Sequence, residues 1–231
     1  MHDIRRIVLW GLCGAVVLGL LIAGGVYQYQ KSHTPNAGLT LWRETQMDDA
    51  TRSLFSQRLA TTQAAIAAKQ SAGEVIETDL YASLAFDAYV LGDLAVARAA
   101  YEHMLNENSL YSVAWNEYAK VLDDMGDYQG AESAFLQAIE TGKLEQYYIS
   151  YVEFLQHRFP ERDEAVKIVL EQGVIAVGQK QLLMVHLGDW YAEHGDCDRA
   201  IAHFNVAKTL NPAAKESIEQ KIAEAREICA Q

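Results

Sequence analysis

Gly92-Asp93-Leu94-Ala95-Val96-Ala97 and Gly126-Asp127-Tyr128-Gln129-Gly130-Ala131 stand 34 residues apart and share one design. Each opens on Gly-Asp and closes on Ala, and a ring follows four residues later, Tyr101 in the first and Phe135 in the second. Working outward, Glu161-Arg162-Asp163-Glu164-Ala165 lies another 34 residues along. Gly195-Asp196-Cys197-Asp198-Arg199-Ala200 follows after 35, with Phe204 four residues past its alanine. A period of this length marks a stack of helix–turn–helix units, because one such unit cannot bury its own apolar face. The residue types fit that reading. The Gly-Asp pair suits a reversal between antiparallel helices, small Ala lets the two helices approach, and the rings fill the space between them.

These positions resemble the tetratricopeptide repeat, whose pattern runs W-x2-L-G-x2-Y, then A-x3-F, then Pro. The last unit matches best, through Leu187-Gly188, Tyr191, Ala200, Phe204, Ala207 and Pro212. The second supplies Trp115, Ala119, Gly126, Ala131, Phe135 and Ala138, and the first Tyr81, Leu84, Ala85, Gly92, Ala97 and Tyr101. The third departs from the pattern. It keeps Ile149, Val152 and Ala165, but Gln156 replaces an aromatic, Pro160 sits in the turn and Gln172 replaces a small residue. Its helix angle is therefore expected to differ. The resemblance covers residues 78–214 and implies an all-α solenoid of four repeats.

The flanks complete the stack. Residues 215–231 read as a capping helix with Ile218, Ile222 and Ala225 or Ile228 toward the last repeat. Residues 31–47, with Pro35 and Gly38, read as a linker. Residues 48–77 hold a helix starting at Asp48 or Asp49 and stopping at Gly73, with Phe55, Leu59, Thr62 and Ile66 on one face. Its thin, Ala-rich stripe suits either packing on the first repeat or a dimerising stalk.

Ahead of the linker, Ile7 to Val26 read IVLWGLCGAVVLGLLIAGGV, without a charge or a strongly polar side chain. A helix of about 20 residues spans about 30 Å, the hydrocarbon thickness of a bilayer. Residues 1–30 are thus expected to be a single-pass transmembrane anchor, with Trp10, Tyr27 and Tyr29 at its interfaces. Arg5 and Arg6 favour a cytoplasmic N-terminus in a bacterial inner membrane, which puts the repeats on the extracytoplasmic side. The competing reading is a cleaved signal peptide, with Ala23 and Gly25 before a mature start at Val26.

The whole chain has a formal charge of −12. Residues 1–31 contribute +2 in side chains (Arg5, Arg6 and Lys31 against Asp3), so the rest sums to −14. Phosphate backbones need clustered Lys and Arg, so nucleic acid is excluded as a default partner. Basic or neutral protein partners are expected instead.

No catalytic constellation stands out: there is no P-loop, HExxH, GxSxG, dinucleotide fingerprint or EF-hand loop. An enzyme is not expected, nor is a cofactor or metal. His194-Gly-Asp-Cys-Asp198 has the composition of a metal site but falls on the turn of the fourth repeat. Cys197 and Cys229 are the two cysteines outside the apolar run. One starts the second helix of repeat four and the other ends the antiparallel capping helix, so a disulfide between them is expected in an oxidising compartment.

The tetratricopeptide resemblance implies a concave groove lined by the first helix of each unit. Mapping its positions onto this chain nominates Phe86 and Tyr89 in repeat one and Asn116 and Lys120 in repeat two. Repeat three adds Tyr147, Phe154 and His157, with Tyr151 nearby. Aromatics with scattered polar groups suit an extended or helical peptide. The same rings also suit a buried core, and the 48–72 helix is able to fill the groove itself. The expected function is a non-enzymatic, membrane-tethered scaffold for a protein or peptide partner in envelope complex assembly. The alternatives are a self-associating structural membrane protein, a homo-oligomer through the stalk, and a cytochrome c maturation or translocon-associated chaperone-like factor.

Overall fold

Each Gly-Asp pair does two jobs at one turn. Gly92 and Gly126 end their helices in the left-handed region, at φ +91° and +83°, where an L side chain is strained. The Asp93 carboxylate then accepts from the Val96 N–H at 3.1 Å, and Asp127 from the Gly130 N–H at 3.0 Å. Asp196 does the same for Arg199 at 3.1 Å. These carboxylates cap the first amides of the next helix and complement its positive end. The pair therefore stops one helix and starts the next, which reverses the chain.

The computed structural model describes residues 39–228 and 230. Among them run ten α-helices: α1 Asp49–Ala72, α2 Thr78–Leu91, α3 Leu94–Glu107, α4 Ser112–Met125 and α5 Tyr128–Gly142, then α6 Glu145–Arg158, α7 Asp163–Val177, α8 Gln181–Glu193, α9 Cys197–Leu210 and α10 Lys215–Ile228. They pair as α2/α3, α4/α5, α6/α7 and α8/α9, and each pair packs on the next, with α10 against α8 and α9. The result is an α-helical repeat solenoid. The residues from Thr40 onward form one unit.

Repeat three differs from the rest for a local reason. Its turn has no Gly-Asp; a single 3-10 turn, Pro160–Arg162, leads into α7, whose N-cap residue Arg162 makes no side-chain capping bond. Consistent with this, α6 and α7 touch less than the other pairs do. At the other extreme, α8 and α9 meet where Gly188 faces Phe204. A Cβ on Gly188 would sit 2.5 Å from that ring, so the glycine is what lets Phe204 pack at 1 % exposure.

The buried core runs from Ala119 and Leu122 through Phe135, Leu155, Leu170 and Leu183 to Phe204, Ile218 and Ala225. In α10, Ile218, Ile222 and Ala225 are buried and the charged residues face outward. Ile228 lies exposed. In α1 the only buried residue is Ile66. Among the described residues, no helix is long and apolar enough to cross a membrane. The expected anchor at 7–26 lies outside the described residues.

Candidate partner-binding surface

The segment before α1 is extended and docks on the first two repeats. The Thr40 N–H donates to the Met125 carbonyl at 3.0 Å, the Arg43 N–H to Gly92 at 3.0 Å, and the Ala95 N–H to Leu41 at 3.2 Å. Trp42 and Asp93 form an antiparallel bridge. Arg43 anchors the segment. Its guanidinium lies 4.1 Å from the centre of the Tyr89 ring, donates to the Tyr89 carbonyl at 3.1 Å and pairs with the Asp124 carboxylate. Burial, and then the charge of Asp124, push the Tyr89 hydroxyl up to about 12. Tyr89 is thus half-buried and already partnered by the chain itself.

Phe86 is 48 % exposed, and its ring centre lies 6.1 Å from that of Phe55 on α1. One position on, Asp87 is 1 % exposed and makes no hydrogen bond among the described residues. The Arg58 guanidinium of α1 approaches it at 2.9 Å. Burial raises the Asp87 carboxyl above its ordinary range, and Arg58 pulls against that. So α1 packs on repeat one through a mixed face of apolar residues and the Arg58 guanidinium, and it covers part of the surface expected to be open.

Asn116 is buried at 3 % exposure. Its Nδ2 donates to Glu117 Oε1 at 2.8 Å, and Lys120 Nζ reaches the same oxygen at 2.7 Å. The Asn116 Oδ1 is buried without a hydrogen-bond partner among the described residues. Asn116, Glu117 and Lys120 thus form one polar cluster on α4.

Tyr147 and Phe154, which the resemblance maps to the groove, and the nearby Tyr151 are core residues at 4, 3 and 5 % exposure. Phe154 lies 5.3 Å from Phe135 and 5.6 Å edge-on from Phe159. Tyr151 donates to Glu132 Oε1 at 2.6 Å, and burial raises its hydroxyl pKa well above the ordinary value. Tyr147 fits over Gly142, where a Cβ would come within 2.3 Å of its ring, and its hydroxyl meets Ser112 Oγ at 3.1 Å. The physical reason is area: each ring removes about 150–250 Å² from water when it folds onto a neighbouring helix. His157, the fourth of this set, is exposed.

An open cleft of about 410 Å³ lies between α6, α8 and α10. Gln156, His186, Asp189, Glu193, Lys221 and Glu224 supply its polar lining. Lys221 pairs with Asp189 at 2.8 Å, leaving Glu193 and Glu224 as an acidic excess on the walls. Burial lowers the His186 pKa, with Asp189 and Glu153 opposing, so its imidazole is neutral at pH 7. The groove residues named from the repeat pattern include none of these, and His186, Lys221 and Glu224 are among those it misses. Two of those lie on α10, beyond the repeat pattern.

Cys197 is disulfide-bonded, and its Sγ lies 3.9 Å from the Ala225 carbonyl of α10. Cys13 and Cys229 lie outside the described residues. His194 stacks on Trp190 at 3.8 Å and meets Asp163 at 2.7 Å. Among the described residues, no group of three or more His, Cys, Asp or Glu is placed to hold a metal.

Sequence comparison matches no family model and no curated protein. Comparison of structures gives the fold. TTC0263, a thermophilic TPR protein of Thermus thermophilus, superposes with a TM-score of 0.52 at 13 % identity, over 74 % of this chain and 90 % of that one. MamA gives 0.52 at 18 %, over 65 % and 81 %. Yeast Tom70 gives 0.58 at 19 %, over 78 % of this chain but only 37 % of Tom70. The chain therefore has a tetratricopeptide-repeat fold.

Proposed function

We propose that this protein is a non-enzymatic, membrane-tethered scaffold. Residues 7–26 anchor it in a bacterial inner membrane, and the repeats work on the extracytoplasmic side in envelope complex assembly. The observation that carries the binding role is the open cleft between α6, α8 and α10, built from successive units with an acidic excess on its walls. In a solenoid, an open concavity with few convergent polar groups is the place for a partner side chain. The chain's acidity makes that side chain basic or neutral. A disulfide between Cys197 and Cys229 ties α10, one wall of the cleft, to α9. In the chain-entropy view it closes about 33 residues and contributes roughly 3–4 kcal/mol.

Pull-down from detergent extracts tests this reading. The wild type should capture heteromeric partners, and Glu193→Lys with Glu224→Lys should lose them while melting normally. Unchanged capture by the double variant rules out the cleft. Crosslinking that yields only self-adducts favours the structural, self-associating alternative instead. Mass mapping without reductant checks the cysteine pairing.

A further inference from the structure

We infer that the cradle formed by Tyr89, Gly92, Ala95 and Asp124 is a binding site for an extended, arginine-bearing segment of a partner protein, and that Thr40–Thr45 occupies it as an exchangeable internal competitor. The inference rests on the scaffold reading for its biological meaning, but it concerns a different surface from the acidic cleft.

The site is built to take a peptide. Its floor is backbone: the Gly92 carbonyl accepts from Arg43, and the Ala95 N–H donates to Leu41, at 3.0 and 3.2 Å. This is backbone pairing through one isolated bridge, in which main-chain bonds give affinity without regard to side chains. Above that floor sits a socket for a guanidinium, made of the Tyr89 ring face, the Tyr89 carbonyl and the Asp124 carboxylate. A ring face plus a carboxylate favours Arg over Lys, because the flat guanidinium stacks and donates in its own plane at once. Gly92 is shaped to the occupant. A Cβ there would fall 2.1 Å from the Arg43 carbonyl oxygen, whereas at Gly126 and Gly195 no atom of the described residues lies within 4 Å. The turn of repeat one is thus a site in a way that the other Gly-Asp turns are not.

The occupant leaves part of itself unsatisfied. Arg43 Nε and Thr45 Oγ1 are buried without hydrogen-bond partners among the described residues, and leaving such groups unpaired weakens a docked segment. Leu41 and Trp42 stay 39 and 56 % exposed. One side chain therefore anchors the segment, while its largest apolar group faces water. A partner segment that presents arginine, pairs through its backbone with Gly92 and Ala95, and satisfies its own polar groups would displace it. Its handicap is the high effective concentration of a tethered competitor.

The experiment uses the full chain in detergent and a labelled peptide with the sequence of residues 40–46. Arg43→Ala releases the internal segment and leaves the cradle intact. The peptide should bind this variant at least about tenfold more tightly than the wild type. Binding should fall to background when the peptide's own arginine is replaced by alanine, or when Asp124→Asn is added to the protein. Hydrogen exchange at the Ala95 amide should be faster in Arg43→Ala and should slow again with peptide. Arg43→Gln, which keeps the side-chain length, must give the same result if Arg43→Ala does not fold. Equal affinity for wild type and variant, no binding to a folded variant, or binding independent of the peptide's arginine each overturns the inference. So does a shift to dimer in native mass spectrometry, which would assign the cradle to exchange between copies. A pull-down that fails on the cleft variants leaves this result untouched, because the peptide needs no cellular partner.

Discussion

Asp87 and Trp190 hold equivalent places in the first and fourth repeats, and both are buried, at 1 and 7 % exposure. Between them, at the same position, come Val121 and Leu155, both at 0 %. Three repeats thus place an apolar group where the first places a carboxylate. The difference follows from what lies opposite. Trp190 leans on α7, donating from its indole N–H to the Asp163 carbonyl at 3.2 Å, inside a continuous core. Asp87 faces α1, whose nearest contribution is the Arg58 guanidinium. An ion pair with one buried carboxylate and one half-exposed guanidinium specifies which helix docks and in what register, but adds little stability over an apolar pair. At this position the C-terminal end of the solenoid is therefore closed by apolar packing, and the N-terminal end by a carboxylate paired with α1.

The largest expected effect lies at the C-terminal end. Phe204→Ala empties the space over Gly188 and should cost about 3–5 kcal/mol, read from urea unfolding followed by far-UV circular dichroism. A loss below about 1 kcal/mol would mean the two ends are not so different after all.

At the N-terminal end, Gly92→Ala and Gly126→Ala meet the same left-handed backbone, but only the first also evicts the extended segment. Gly92→Ala should be the more damaging by about 2 kcal/mol, from the docking hydrogen bonds it breaks. Equal losses in thermal melts would show that the segment contributes nothing.

Asp87→Leu restores the apolar type of the other repeats, and should raise stability by about 1 kcal/mol. Its pH dependence has a definite sign. The native carboxyl titrates above its unfolded value, so the folded chain binds the extra proton between the two pKa values. This group therefore costs stability at neutral pH, and the cost disappears as pH falls through the raised pKa. The gap in melting temperature between Asp87→Asn and wild type should shrink on acidification. A gap that widens would reverse the assignment.

The smallest effect is expected between the two ends. Lys120→Ala breaks only the half-exposed contact with Glu117, and should change stability by less than about 0.5 kcal/mol. A larger loss would make the α4 polar cluster a third stabilising centre.

Much of this fold is legible in single residues. Gly92 with Asp93, and Gly126 with Asp127, announce both a helix stop and a helix start, because each acts on backbone groups within three residues. Ala85, Ala119 and Ala200 mark close helix crossings, and all three have 0 % exposure. The candidate surface is less legible. Spacing puts Phe86 and Phe154 in equivalent positions, yet one is half exposed and the other lies against Phe135. Nothing within either helix separates them. Arg43 reads as a linker residue, since its partners Tyr89 and Asp124 are 46 and 81 positions away.

The sequence by itself determined the period, the turns, the caps and the small residues at the crossings, because these depend on contacts one helical turn or one repeat away. Only the tertiary structure decided which rings face a groove, that Asp87 would meet Arg58, that α10 would wall an acidic cleft, and that an extended segment would lie over the first turn. Those outcomes depend on how neighbouring helices are rotated and on which chain segment reaches them first. They are set by packing area and long-range pairing, which have no period to read.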